Sequence, residues 1–341
     1  MRLSVASSAG IVLAFALVRG IAVADTSGQQ LAERAGLALL GAPAPRLVVT
    51  TIDGQTIDLG KLYGRQAVYL KFWATWCVPC REQMPHFEHA YETAGPDLAV
   101  IAVNVGFNDT ADDVREYRKK LGITMPIVLD DGRLAAAFHL RVTPQHIVIG
   151  RDGRIEYIGH LADGRLDQAL VAARSASGRS AASQPAAIVR YAVGDRVPAR
   201  SAPTIDGSAF DLRERAAPRR TVLVFLSPWC ESYLATTRPQ VSSNCRRMRE
   251  QVTAMQGERD TRWLGIASGL WATGEDLADY RTKYGVGIPL ALDETGALFR
   301  AFAVNQVPAA LIVDRDGRIL RRVDATDMET SSALREAVGA P

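Results

Sequence analysis

Apolar residues come in short dense runs separated by charged stretches, and the same succession of runs occurs twice. In the first half AVYLKFW (67–73) and LAVIAVNV (98–105) are nearly continuous apolar runs, the pattern of strands buried on both faces. Between them and the next strand, DTADDVREYRKKL (109–121) has helical periodicity, with Asp109 or Thr110 as its N-cap. PIVLD (126–130) and QHIVIG (145–150) are further strands, and Asp152-Gly153 turns the last of them into RIEYIG as a hairpin. The second half repeats the order with TVLVFL (221–226), RWLGIA (262–267), EDLADYRTKY (275–284), PLALD (289–293) and AALIVD (309–314). This alternation predicts an α/β fold with helices covering a central sheet, which the terminal hairpin makes mixed.

The repeat is visible in the letters as well as the pattern. TIDGQTIDL (51–59) recurs as TIDGSAFDL (204–212) at an offset of 153, and ten of the thirty positions 51–80 are identical at that offset. RDGRI (151–155) recurs as RDGRI (315–319) at an offset of 164, so the second copy carries about eleven extra residues in between. A period near 150 residues means duplicated domains rather than a solenoid. The expected organisation is a first domain over 40–172, a flexible linker over 173–189 and a second domain over 190–341. The small, polar run AARSASGRSAASQPAA (172–187) sets the linker.

Residues 1–24 differ from both copies. Arg2 precedes an unbroken apolar run, Ile11 to Val18, and Ala22-Val23-Ala24 forms a small-x-small cleavage pattern. Eight apolar residues are too few for a bilayer core that needs about 20. A cleaved signal peptide, and export to a periplasm or equivalent compartment, are therefore expected; an uncleaved anchor is the alternative. The length of 341 residues, with 48% hydrophobic and 23% charged, suits a two-domain globular protein and excludes a polytopic membrane protein. A net charge of +3, with no basic stripe, gives no case for nucleic acid.

Four cysteines are too few for a disulfide scaffold and are read by position. KFWATWCVPC places Cys77 and Cys80 just after a strand, at the start of a helix and one turn apart. Unpaired N–H groups and the helix dipole favour a thiolate at Cys77, so it is the expected nucleophile. Cys80 is placed to resolve a mixed disulfide. Pro79 has no N–H to lose in a first turn. No second CxxC or HxxxH stands at zinc spacing in this domain, and no metal is expected.

FWATWCVPC, Pro85 and VTP (142–144) resemble the thioredoxin fold, and within it the exported TlpA/ResA-like thiol–disulfide oxidoreductases. The likeness covers residues 40–172 well and 190–341 more loosely, implying two tandem thioredoxin-like domains, the second a degenerate copy. It implies that Thr143-Pro144 is a cis-proline loop on which a partner's cysteine segment docks, and that Trp76 flanks the nucleophile. It further implies substrates that are proteins with reducible cysteines (apocytochrome c or copper-centre assembly proteins), a membrane thiol electron donor and no small-molecule cofactor. Two positions depart from the family. Lys71 stands where many thioredoxins bury an aspartate; its ammonium either lies near the dithiol, favouring the thiolate or losing its own proton, or snorkels to solvent. Gln83 stands where some relatives have glutamate.

In the second copy SPWCESYLATTRPQ keeps Cys230, but Tyr233 replaces the second cysteine; Pro308 keeps the cis-proline position. On one straight helix Cys230 and Cys245 would be about 22 Å apart, too far for a disulfide; a loop at ESYLATTRP would let them meet. Both outcomes stay open. Two rival functions remain. One is copper binding through cysteine, histidine and methionine, with His86, His89 and Met84 on the helix after Cys80; the other is general oxidation of exported proteins. His146 is expected to pack on its strand.

Overall fold

In the computed structural model, which describes residues 27–177, 188–214, 219–329 and 332–339, the two halves are two copies of one architecture. Residues 1–24, assigned to a signal peptide, lie outside the described residues, as does most of the 173–189 linker. The first five-stranded sheet has the order Ile127–Leu129, Leu98–Asn104, Ala67–Trp73, Gln145–Ile149, Ile155–Gly159. Its first three strands are parallel and its last two antiparallel, as the terminal hairpin requires. The second sheet repeats that order with Leu290–Asp293, Thr261–Ser268, Arg220–Leu226, Ala309–Asp314 and Ile319–Val323. A two-stranded ribbon precedes each sheet: Val48–Thr50 with Thr56–Asp58, then Ser201–Pro203 with Ala209–Asp211. The helix Gly164–Ser175 closes the first copy and runs a few residues past 172.

Ala67–Trp73 and Arg220–Leu226 are buried along their whole length because each is the central strand of its sheet. That is why these runs are apolar at every position but a few instead of alternating. Helix Ala111–Leu121 starts at Thr110 with a capping box: Thr110 Oγ1 accepts the Asp113 N–H and the Asp113 carboxylate accepts the Thr110 N–H. Thr273 and Asp276 repeat the device on Gly274–Tyr284. With Thr110 as the cap, Asp109 is free for another task. The extra residues of the second copy lengthen its second helix to Pro239–Met255, against Met84–Glu92 in the first.

The two domains meet through the loops that follow the carboxyl ends of their parallel strands. Equivalent groups meet equivalent groups across a local pseudo-twofold axis. Trp76 packs on its counterpart Trp229 with ring centroids 5.2 Å apart. The Asn108 N–H donates to Asn305 O at 2.8 Å, and the Trp271 N–H donates to Arg141 O at 2.9 Å. Asn108 corresponds to Trp271 and Arg141 to Asn305 in the repeat, so these two bonds are one bond made twice.

Candidate active site

The strand Ala67–Trp73 delivers Trp76 and Cys77 to the interdomain face. Cys77 is the N-cap of helix Val78–Glu82, and its Sγ accepts the Cys80 N–H at 3.2 Å. Cys77 and Cys80 form a disulfide with Cα atoms 5.2 Å apart. Thr143-Pro144 is a cis peptide, as is Val307-Pro308 in the second domain. Trp76 is held by its Nε1–H, which donates to Phe107 O at 2.7 Å. Asp109, its carboxylate fully buried, accepts from Thr75 N–H, Thr75 Oγ1 and Asn104 Nδ2, and so fixes the turn leading into Trp76.

Lys71 is fully buried and does not reach solvent. Its Nζ lies 3.5 Å from Cys80 O and 5.3 Å from the centroid of the Phe87 ring. Burial lowers its pKa from 10.5 to about 7. Beside it in the antiparallel register is His146. Gln83 Nε2 donates to His160 O, so Gln83 Oε1 is the acceptor from His146 Nε2–H at 2.9 Å. The Tyr69 hydroxyl therefore donates to His146 Nδ1 at 2.8 Å. Burial first, then the charge of Lys71, keeps His146 well below the ordinary histidine range, and it is neutral. His146 thus packs on its strand and also joins a polar chain behind the dithiol. His160 donates from Nδ1 to Pro144 O at 2.6 Å and so supports the cis-proline loop.

The second-domain cysteines do meet. Cys230 and Cys245 form a disulfide with Cα atoms 6.3 Å apart. ESYLATTRP is not a loop as one sequence reading required; Cys230–Thr237 is helical. The chain breaks instead at Arg238 (φ −141°, ψ 65°), before Pro239 starts the next helix. Tyr233, standing at the lost cysteine's position, places its hydroxyl on the Val78 N–H of the first domain at 3.1 Å. His86 pairs with Asp167 at 3.1 Å, while Met84 is buried.

The sequence did not single out Asp109, Tyr69, Trp271 or Arg238 as parts of this site. Arg238 reaches across the interface: Nη2 donates to Asp109 Oδ1 and Nη1 to Asp113 Oδ1, each at 2.9 Å. Against the opposing effect of burial, bonds from Thr110 and the charge of Arg238 keep Asp113 below the usual carboxylate range. The one signal for Trp271 in the sequence is the repeat itself, which sets it opposite Asn108.

A parallel–antiparallel five-stranded sheet with a cis-proline before its fourth strand, found in both copies, defines a thioredoxin-like domain; the Cys-x-Pro-Cys turn after the central strand stands in the first copy alone. The AhpC/TSA family model matches residues 40–158 and again 193–322, and the chain belongs to that family. Among curated relatives, the thiol-disulfide oxidoreductase ResA of Bacillus subtilis is 32% identical over 117 residues, 34% of this chain and 64% of the relative. ResA of Halalkalibacterium halodurans is 36% identical over 121 residues, 35% of this chain and 67% of the relative. This chain thus spans just under two thirds of the length of the first of these relatives. Among solved structures, a thioredoxin-family thiol:disulfide interchange protein from Chlorobium tepidum is 26% identical, with a TM-score of 0.36. It covers 39% of this chain and 97% of its own. StoA from Bacillus subtilis is 28% identical with a TM-score of 0.34, covering 38% of this chain and 98% of its own. Among the described residues no helix is long and apolar enough to cross a membrane.

Proposed function

We propose that this protein is a thiol–disulfide oxidoreductase that reduces disulfides of exported proteins, with Cys77 as nucleophile and Cys80 as resolving thiol. The observation that carries the reading is the Cys77–Cys80 disulfide at a helix start that follows the strand Ala67–Trp73, whose Phe72 pairs with Gln145 next to the cis Thr143-Pro144 peptide. In the reduced protein the Cys77 thiolate attacks one sulfur of a substrate disulfide. A Cys77–substrate bond forms and the other substrate sulfur leaves as thiolate. The Cys80 thiolate then attacks Cys77 Sγ, the substrate leaves as a dithiol, and two electrons have passed from the protein to the substrate. The Cys80 N–H, aimed at Cys77 Sγ, favours the thiolate. Pro79 adds no competing donor to the same turn. Lys71, about half deprotonated at pH 7 with its Nζ 3.5 Å from Cys80 O, is the acceptor we assign to the resolving thiol's proton. Trp76, Thr143 and Pro144 form the docking face.

Residues 1–24 act as the export leader, which puts the protein in an oxidising periplasm. Its reducing power then comes from a membrane thiol donor, and its substrates are cysteine pairs of apocytochrome c or of copper-centre assembly proteins. The test is the reduction potential of Cys77–Cys80 in glutathione or dithiothreitol buffers, with partner trapping by Cys80→Ser. A value near −270 mV and one or two trapped partners are expected. A value near −120 mV, with many partners, makes the protein a general oxidant and overturns the direction.

A further inference from the structure

An attacked disulfide must be reached in line by an incoming sulfur, so the exposure of the dithiol limits what the protein can react with. Cys77 is 1% exposed, Cys80 0%, Trp76 2% and Thr143 0%. The second domain packs over Trp76, Val78 and Thr143, and it is matched to the first group by group. In the turn that carries the dithiol, the Cys77 N–H is bonded to Ala74 O, Pro79 has no N–H, and the Cys80 N–H is bonded to Cys77 Sγ. The remaining donor, Val78 N–H, is taken by Tyr233 of the second domain. On the cis-proline loop, Trp271 donates its backbone N–H to Arg141 O and its Nε1–H to Thr143 Oγ1, and its ring meets His160 edge to face at 5.5 Å. Arg141 answers by donating to Gly269 O and Ala272 O. A docked partner would need this same loop.

We propose that the second domain is a tethered occupant of the first domain's docking face. Cys77–Cys80 then exchanges with another protein only after the second domain has left. The inference rests on the oxidoreductase reading above. The latch is Arg238, which holds Asp109, Asp113 and Thr75 Oγ1 from across the interface. Removing Arg238 leaves Asp109 with its three bonds inside the first domain, so that domain keeps its fold. Internal exchange between the two disulfides is the competing use of a closed interface, and the sulfurs disfavour it. Cys77 Sγ accepts the Cys80 N–H of its own helix, and Cys230 Sγ is bonded to Cys245 with Val241 O 3.9 Å away, all within its own domain.

The test follows alkylation of Cys77 in the reduced full-length chain by iodoacetamide, read by peptide mass spectrometry, for the unaltered chain, Arg238→Ala and Trp271→Ala. Loss of charge-assisted hydrogen bonds is expected to raise the rate roughly ten- to hundredfold in Arg238→Ala and by a smaller factor in Trp271→Ala. Circular dichroism checks the folds, and should one variant fail to fold the other carries the comparison. Equal rates in all three chains overturn the proposal. So does an internal Cys77–Cys230 bond in Cys80→Ser, which makes the second domain a redox partner instead of a cover. Fast alkylation in Arg238→Ala with no exchange against glutathione disulfide sinks the oxidoreductase reading and leaves the cover standing.

Discussion

Lys71 carries a conflict between its charge and its place. It occupies the middle of a strand buried on both faces, and its only polar contact among the described residues is Cys80 O. Because folding lowers its pKa from 10.5 to about 7, the unfolded chain binds more protons than the folded one between those values. Stability attributable to this residue therefore rises as pH goes from about 7 to 10.5 and is lowest below 7. Lys71→Met is expected to stabilise the protein at pH 6 by about 2–4 kcal/mol in urea unfolding and to flatten that rise. An unchanged midpoint at pH 6 would show that Lys71 reaches water. The sequence located this residue but could not choose between burial and snorkelling, because the choice depends on which strand is central. Gln83 and His146 were equally visible as letters. Their link became legible only when the antiparallel register set His146 beside Lys71 and the helix start brought Gln83 over it.

At the scale of elements, the strands and helices were legible because their periods are clean: continuous runs for central strands and a capped amphipathic pattern for Ala111–Leu121. The helix after Cys230 was less so. Distance along one helix argued against a Cys230–Cys245 bond, and the break at Arg238 reversed that outcome. Proline disfavours a helical conformation in the residue before it, and Arg238 has the extended φ this implies. The signal was present in Pro239, but a proline also begins helices, and the sequence does not say whether the preceding segment is helical too. With a separation of fifteen residues, the disulfide restricts the unfolded chain enough to contribute about 3 kcal/mol. Cys245→Ser should lower stability by about that amount in urea unfolding, with the loss reproduced when the unaltered bridge is reduced. No loss would mean that the packing of Cys230–Thr237 on Pro239–Met255 suffices alone.

For the whole molecule, the repeat told that there are two domains and said nothing of how they face each other. Each contact across the interface joins residues far apart in sequence, and apart from Trp76 and Trp229 beside the cysteines, residues that make it, such as Asn108, Trp271, Arg141 and Asn305, follow no motif. Arg238 and Asp113 are partly open to solvent while Asp109 is buried, so salt should weaken chiefly the Arg238–Asp113 half of the latch. Alkylation of Cys77 is expected to speed up several-fold between about 0.01 and 1 M sodium chloride, and this acceleration should be absent in Arg238→Ala. The same salt response in both chains would place the control elsewhere.

The pairing of Trp76 with Trp229 has a consequence for how the protein behaves at low abundance. A self-matching interface normally joins two separate subunits, and such a pair falls apart on dilution. Here both halves belong to one polypeptide, so each meets its counterpart at a local concentration set by the connection between them, on the order of millimolar for short connections. The fraction of molecules that stand open is then the same in a concentrated and a dilute compartment. With both faces spent on each other, neither is left to recruit a second copy. The chain behaves as a dimer that cannot be diluted apart.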